Sequence, residues 1–262
     1  MILACALTTL VMLKKNLQQD ETMKVLAGVV LAFTLATGAR AADTATPDLS
    51  GVWWAKQKTA AVRPVGGGAI PFTAEGAAEY AKNKPLIKEI DSALPSLHDM
   101  RRCLPDGTPR VWGAGLPFQI FQRSDEMIIA YEQDHIRRFI YLNEAPNPDA
   151  DPAYMGSSGG HWDGSTLVID SVAFKPTFLD ATGLPHGDNM KVTERLRKTG
   201  GKTLEVLATI DDPQMYTKPW TTRYTFTLYP NERIEPYLCG IGVVQSRFGT
   251  EGAIPKLKHH GS

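Results

Sequence analysis

The 262-residue chain carries 28 lysine and arginine residues against 28 aspartate and glutamate residues, and 43% of its residues are hydrophobic. This length and composition are typical of a globular protein with a substantial core, built from one large domain or two small ones. A neutral charge balance without a basic stripe gives no net field toward nucleic acid or an anionic membrane. We therefore exclude nucleic acid as an expected partner.

The first 41 residues have the pattern of an export leader. Residues 23–24 begin a short basic segment, residues 25–35 form an apolar run, and residues 39–41 (Ala-Arg-Ala) supply the small side chains that a signal peptidase requires. We expect cleavage after residue 41 and a periplasmic or secreted protein. The apolar run is too short for a secure membrane span. Residues 1–22 are interpreted as preceding the true start at Met23, the alternative being an authentic long leader.

The use of cysteine agrees with export. Once the leader is removed, Cys103 and Cys239 are the remaining thiols. Two cysteines in an oxidising compartment most simply form one disulfide. In the chain-entropy model, a bridge that closes so long a loop contributes about 4–5 kcal/mol to stability. The alternative is a catalytic thiol, which would leave the other cysteine free.

The first predicted elements of the mature chain are a strand and a helical excursion. Residues 49–54 read as a strand whose Gly-Val-Trp opening recurs in lipocalin-like barrels, and residues 63–71 form a loop rich in glycine and proline. A helix is predicted at residues 74–82, with Glu75 favourably placed in its first turn. Pro85 is expected to interrupt it before a second short helix.

From residue 118 onward the pattern changes to short strands separated by polar turns. Gly200-Gly201 indicates a hairpin turn, whereas residues 144–154 contain three prolines and are expected to form a loop. The pattern favours a mainly β fold, an antiparallel lipocalin-like β-barrel or a sandwich, in a single domain over residues 42–248 with a flexible tail at 249–262. The strands are predicted at residues 118–122, 126–132, 136–142, 166–171, 190–198, 203–211, 221–229 and 233–239.

Strand phase places two charged side chains among apolar neighbours. Glu194 falls on the apolar face of residues 190–196, and either face of residues 136–142 carries an arginine, Arg138 or Arg137. Burying an unpaired charge costs several kcal/mol, so a partner or a polar cavity is required. Two interpretations stay open: a structural Glu–Arg pair inside a barrel, and a carboxylate held by Arg138 at a cavity wall.

Two histidines flank a predicted strand in the same region. His161 precedes Trp162 and a tight turn, and His186 lies in the loop that follows the strand. Asp170 and Asp188 are candidates to orient an imidazole by accepting a hydrogen bond from one ring nitrogen. Each of these residues also has a plain polar or turn-capping interpretation. Metal-binding spacings such as His-x-His or Cys-x-x-Cys are absent from the sequence, so no metal site is predicted.

Two further segments are candidates for the rim of a cavity. Residues 156–160 (Gly-Ser-Ser-Gly-Gly) lack the serine-hydrolase elbow and are expected to form a flexible loop at the cavity mouth. Prolines fix residues 211–220 as a loop, in which Tyr216 and Trp220 offer surface for a substrate or for packing over a barrel end. Trp162 is the third aromatic side chain expected to contact a substrate.

Taken together, these residues resemble a large family of secreted, largely uncharacterised bacterial proteins with a W-(D/E)-G-x-T-L-V-(V/I)-D motif. The resemblance extends from about residue 51 to 239 and implies a lipocalin-like barrel more than it implies an activity. The residues that carry it are 162–170 (Trp-Asp-Gly-Ser-Thr-Leu-Val-Ile-Asp), Pro185-His186, Glu194-Arg195, Asp212-Pro213, Tyr216, Pro219-Trp220 and the segment from Cys103 to Arg110.

The chain departs from the family pattern at three places. Family members commonly have Trp-Glu-Gly-Asp-Thr-Leu where this chain has residues 162–167, and they often end the core with Cys-Glu-Glu-Asn where this chain has Cys-Gly-Ile-Gly at 239–242. Residues 143–146 also lack the usual Gly-Arg-x-His. If those acids and that histidine belong to a shared site, this chain has altered chemistry.

Three function hypotheses follow. The first is an exported, cofactor-independent acid–base enzyme of the lyase, isomerase or hydratase type, acting on a hydrophobic or aromatic small molecule. In it His161 or His186 transfers the proton, and Asp170 or Asp188 orients the imidazole. Glu194 and Arg138 together set the cavity polarity. The second is a non-catalytic periplasmic carrier of a hydrophobic ligand. The third is an envelope scaffold or interaction domain without a cavity.

Overall fold

In the part of the chain that the structure describes, nine strands follow one another around a closed barrel in chain order, with β9 pairing back onto β1. Eight of the nine pairings between these strands are antiparallel, and the pairing of β4 with β5 is parallel. The predicted mainly β, lipocalin-like barrel with an early helical excursion is therefore confirmed. The strands are β1 (Gly51–Ala55), β2 (Phe118–Gln122), β3 (Glu126–Tyr131), β4 (Arg137–Leu142), β5 (Ser157–Asp163), β6 (Thr166–Val172), β7 (Lys191–Gly200), β8 (Thr203–Asp211) and β9 (Trp220–Tyr229).

The structure is a computed structural model that describes residues 46–93, 105–133 and 135–235, with side chains of the helix described up to residue 84. The expected leader, the Cys103–Cys239 disulfide and the tail lie outside these residues and stay predictions. The domain bounds at residues 42 and 248 lie outside them as well. Among the helices that are described, none is long and apolar enough to cross a membrane.

Inward and outward side chains alternate along the strands, as the period of two requires. On β7, Val192, Glu194 and Leu196 are buried, whereas Lys191 and Arg195 are exposed. On β4 the buried set is Arg138, Ile140 and Leu142, and the residues between them are exposed. The predicted faces of both strands are therefore confirmed, and both predicted charges point into the barrel.

Aromatic side chains fill much of the barrel interior. Trp112 comes from a 3₁₀ turn at Arg110–Gly113, and its ring lies 5.0 Å from that of Phe118, 5.6 Å from that of Tyr131 and 5.6 Å from that of Phe226. Trp53 of the Gly-Val-Trp opening is fully buried, and its indole nitrogen donates a hydrogen bond to the Leu49 carbonyl at 2.9 Å. The edge-on contacts of Trp112 with Phe118 and Tyr131 stabilise the core beyond the burial of apolar surface alone.

Between β1 and β2, the described residues contain one α-helix, α1 (Ala74–Ala93). It begins after Thr73, whose hydroxyl accepts a hydrogen bond from the Gly76 amide at 3.0 Å and so caps the first turn. The predicted break at Pro85 is wrong for the backbone, which remains helical to Ala93. An interior proline removes one backbone hydrogen bond and crowds the preceding turn, which makes the helix less stable at that point, but here it does not end the helix.

The Gly/Ser-rich run at residues 156–160 is not the loop expected at a cavity mouth, because Ser157–Asp163 forms β5. Its glycines permit close approach rather than disorder. A Cβ at Gly159 would lie 2.1 Å from the Glu144 carbonyl oxygen, and one at Gly160 would lie 2.8 Å from the Ile140 side chain. At the other end of the barrel sequence, residues 233–235 of the last predicted strand are not in a strand.

The junction of β4 and β5 is the shortest ladder of the described barrel. Tyr141 pairs with Gly159 and Leu142 pairs with Gly160, and no further pair is recorded between these strands. A parallel pair requires a crossover, and the proline-containing segment between the two strands supplies it. We call this junction the β4–β5 seam.

The seam gives a first prediction. Gly159→Ala places a methyl group against the Glu144 carbonyl, which cannot move as a flexible side chain would, so we expect a loss of about 1–3 kcal/mol in the free energy of unfolding. Gly201→Ala, in the β7–β8 turn where a Cβ meets nothing within 4 Å, is the matched control and should change stability by less than about 0.5 kcal/mol. Urea unfolding of both variants measures this. Equal stability of the two variants would contradict the close approach at the seam.

Candidate functional site

A buried ion pair lies inside the barrel. Glu194 on β7 is 0% exposed and Arg138 on β4 is 2% exposed. The Arg138 Nη2 donates to Glu194 Oε2, and the indole nitrogen of Trp112 donates to Glu194 Oε1 at 2.5 Å. Both carboxylate oxygens therefore accept a hydrogen bond, one of them from a cation. The structure brings together the two charged residues that strand phase singled out.

Two serines extend this arrangement across the β4–β5 seam. Arg138 Nε donates to the Ser158 hydroxyl on β5 at 3.0 Å, and Arg138 Nη2 also donates to the Ser171 hydroxyl on β6 at 2.7 Å. The two serine hydroxyls lie 2.9 Å apart. One guanidinium thus links β4 to β5, β6 and β7. We call Arg138, Glu194, Trp112, Ser158 and Ser171 the interior network.

Three polar atoms beside the interior network make no hydrogen bond of standard geometry with a described residue. They are the second terminal nitrogen of Arg138, Nη1, and the hydroxyl groups of Tyr131 and Tyr224. Tyr131 is 3% exposed and Tyr224 is 4% exposed. The Tyr131 hydroxyl interacts weakly with the Arg138 guanidinium and the Tyr224 hydroxyl with Thr222, so these groups are poorly satisfied rather than isolated. Buried polar groups are nearly always well satisfied by protein or by ordered water, so three such groups around one ion pair need an explanation.

The protonation states of these groups follow from their surroundings. Burial raises the pKa of the Tyr131 hydroxyl well above its usual value, although the nearby Arg138 charge acts in the opposite direction. Burial likewise raises the pKa of Tyr224, and the charge of Glu194 adds to the effect. Burial alone would lower the pKa of Arg138, but the charge and hydrogen bond of Glu194 together with those of Tyr131 outweigh it, and the pKa is raised. At neutral pH the site therefore offers two neutral hydroxyls and one guanidinium N–H.

A small pocket opens beside this region. It has a volume of about 140 Å³, and its lining includes Trp112 of the interior network together with Tyr224 and Phe226 on β9. The rest of the lining is mostly polar, with Lys56, Gln57 and Arg223 in it, and neither Tyr131 nor Arg138 lines this pocket. Its volume has room for one ring or a few waters.

His186 lies in a different environment from the interior network. Its Nδ1 lies 2.9 Å from the Gly187 carbonyl oxygen, and its Nε2 accepts a hydrogen bond from the Thr177 amide at 3.1 Å. Since a carbonyl can only accept, Nδ1 must be the donor, and these two bonds fit one neutral tautomer. Both ring nitrogens are thus engaged by the backbone, which is how a structural histidine is held.

The other predicted acid–base residues lie on the outside of the barrel or in its loops. His161 is exposed on β5, and Asp188 is exposed in the loop before β7. Asp170 is half-buried on the outer face of β6, where its carboxylate accepts a hydrogen bond from the Thr193 hydroxyl at 2.6 Å. No hydrogen bond or ion pair between described residues joins any of them, or His186, to Glu194.

The aromatic residues predicted to contact a substrate do not line one common site either. Tyr216 is 1% exposed, donates its hydroxyl to the Pro185 carbonyl at 2.7 Å and packs edge-on against Trp220 with ring centres 5.4 Å apart. Burial raises the pKa of the Tyr216 hydroxyl far above its usual value. Trp162 is half-buried on β5 and packs against the core. Of the three, Trp220 also lines a pocket, which lies outside the barrel wall.

Several residues of the site were missed by sequence reasoning. Tyr131 shares its strand phase with Met127 and Ile129, so its inward direction was readable from the alternation. The sequence predicts a loop at Ser158, which lies in β5. Trp112 lies in a 3₁₀ turn, where no periodic pattern indicates which side chains are buried. Buried Asp212, whose carboxylate accepts a hydrogen bond from the Gly187 amide at 2.6 Å, organises the loops around His186.

The ion pair gives a second prediction. Glu194→Gln and Arg138→Met each leave the other group buried without its counter-charge, so each should lower the free energy of unfolding by about 3–5 kcal/mol. The matched control is Asp163→Asn, which breaks the exposed pair with Arg195 at 2.7 Å and should leave the urea midpoint almost unchanged. If Glu194→Gln unfolds at the same urea concentration as the control, the pair is not buried as described.

The described residues contain no group of three or more histidine, cysteine, aspartate or glutamate side chains arranged to hold a metal ion. A comparison with known protein families found no match for this chain, and a comparison with curated proteins found none either. The family resemblance therefore stays an expectation. The interior network is the feature of the described residues that bears most directly on function.

Proposed function

We propose that the protein binds a small, oxygen-bearing hydrophobic or aromatic molecule in the barrel beside the interior network. The observation that carries the proposal is the set of three buried polar atoms without a well-aligned hydrogen bond, Arg138 Nη1 and the hydroxyls of Tyr131 and Tyr224. Leaving a buried donor unsatisfied costs about 1–3 kcal/mol. An acceptor oxygen of a ligand would remove that cost, and ordered water is the competing occupant.

The charge of the site favours a neutral ligand. The Arg138 charge is already balanced by Glu194, so an additional buried carboxylate would bring an unpaired negative charge into the barrel. Neutral phenol hydroxyls and a guanidinium N–H instead suit a carbonyl or hydroxyl oxygen. The rings of Trp112 and Phe226 supply apolar surface for the rest of the molecule, and with Tyr224 they line the pocket of about 140 Å³, to which Tyr131 and Arg138 do not contribute.

The same atoms favour a second candidate, an acid–base enzyme of the lyase or isomerase type. Preorganised N–H and O–H donors in a dry site can stabilise the oxyanion that forms when a carbonyl compound loses a proton. The exposure of His161 and the backbone hydrogen bonds of His186 give no support to proton transfer by either histidine. This candidate therefore rests on Glu194, Arg138 and the two tyrosines. It predicts that a molecule recovered with the protein is changed on incubation, whereas a carrier returns it unchanged.

We also propose that the protein acts outside the cytoplasm, which rests on the leader pattern of residues 1–41. A protein isolated from the bacterial envelope should begin at Ala42 and, if the disulfide forms, should weigh 2 Da less than its reduced form because two thiol hydrogens are lost. Intact-mass measurement with and without reductant checks both expectations. A chain recovered only with its leader intact in the cytosolic fraction would contradict export.

The binding prediction uses a pair of probes that differ in one oxygen function. Acetophenone should bind saturably in ligand-observed NMR, and Tyr131→Phe and Tyr224→Phe should each weaken it about 5–100-fold, because each removes one hydrogen bond. Toluene has no acceptor, so the same variants should leave its binding unchanged. Without a ligand neither hydroxyl makes a hydrogen bond of standard geometry with a described residue, so each variant should lower the free energy of unfolding by less than about 1 kcal/mol.

Tyr216→Phe is the matched control. Its hydroxyl is bonded to the Pro185 carbonyl, so this variant should lower stability by about 1 kcal/mol and leave acetophenone binding unchanged. Native mass spectrometry of the protein from its source, followed by extraction, would identify the natural ligand. Wild-type affinity for acetophenone in both interior tyrosine variants, or no saturable binding of it, would refute the proposal.

A further inference from the structure

A second and larger pocket lies on the outside of the barrel wall. Its volume is about 480 Å³, within the range of small-molecule sites. Loop residues 64–71 line it together with Leu207 on β8 and the segment 218–221 at the start of β9. Leu207 alternates with the buried Val206 and Ala208 and therefore faces away from the interior. We call this the Trp220 pocket, and it is separate from the interior network.

The loop that forms the pocket is fixed to the barrel. The Val65 amide donates to the Thr221 carbonyl at 2.8 Å, and the Thr217 amide donates to the Pro71 carbonyl at 2.8 Å. Pro64, Pro71 and Pro219 restrict the backbone of both walls. A pocket held open in this way binds a ligand without first ordering a loop.

The lining of the Trp220 pocket contains one charged side chain, that of Lys218. Lys218 is exposed, and no ion pair joins it to a described carboxylate. Trp220 is 5% exposed and pairs in register with the buried Ile210, so its side chain faces the barrel interior and supplies no donor to the pocket. Apart from Thr221, whose hydroxyl is hydrogen-bonded to that of Thr209, the other side chains of the lining are apolar, among them Val65, Leu207 and Pro219. One cation thus lies in a mainly apolar pocket.

We propose that the Trp220 pocket binds an amphipathic monoanion, a carboxylate on an apolar body. A single ammonium group complements a single carboxylate, and the prolines, Val65 and Leu207 accept the hydrocarbon. This site goes beyond the proposed function, because it takes an anion on the outer face of β8 and β9, whereas the interior network takes a neutral oxygen.

Octanoate and octan-1-ol are the probes for this site, since they share a chain and differ in charge. Both should bind saturably in ligand-observed NMR, octanoate more tightly. Lys218→Gln should weaken octanoate about fivefold, the size expected of one partly exposed charge pair, and leave octan-1-ol unchanged. Lys191→Gln, at another exposed lysine on β7, is the matched control and should change neither.

A second variant separates loss of the site from loss of the fold. Val65 is 43% exposed, so Val65→Asp should leave the unfolding transition intact while it abolishes octanoate binding through charge repulsion. Tyr131→Phe should not affect octanoate, which keeps this test independent of the interior site. Equal octanoate affinity in wild type and Lys218→Gln, or no saturable binding below about 5 mM, would overturn the proposal.

Discussion

The removal of one guanidinium and one carboxylate from water is the constraint on which the rest of this structure depends. Arg138 and Glu194 are both buried in the barrel, and neither charge is tolerable there without the other. Their pairing also crosses the β4–β5 seam, where the backbone contributes only two residue pairs. Side chains on β4, β5, β6 and β7 are thereby connected at the place where the ladder of backbone hydrogen bonds is shortest.

Stability alone does not account for such a pair. Well-packed hydrophobic residues of similar volume often replace a buried ion pair without loss, so its presence favours a role beyond holding the barrel. Arg138 Nη1 and the two neighbouring tyrosine hydroxyls fit that view, because none of them makes a hydrogen bond of standard geometry with a described residue. Polar groups kept in a dry interior lower the stability of the protein, and a binding site retains them because they can form hydrogen bonds with a ligand.

The sequence predicted the fold and the centre of the site wherever a strand repeats strictly every two residues. Glu194 and Arg138 were found because their strands alternate clearly between apolar and polar side chains. Strand β5 could not be predicted in this way, because its first four residues are serines and glycines and show no alternation of apolar and polar side chains. The outward direction of His161 therefore does not follow from the sequence. Trp112 reaches Glu194 from a 3₁₀ turn, and no local pattern indicates a contact between residues 82 positions apart.

The most direct test of the account is the double variant Arg138→Met/Glu194→Leu, examined for stability and for acetophenone binding together. If the pair is retained for recognition, the double variant should be more stable than either Glu194→Gln or Arg138→Met, because no buried charge is left unpaired, and it should lose acetophenone binding. A double variant that binds acetophenone with wild-type affinity, or that is less stable than both single variants, would contradict the central claim.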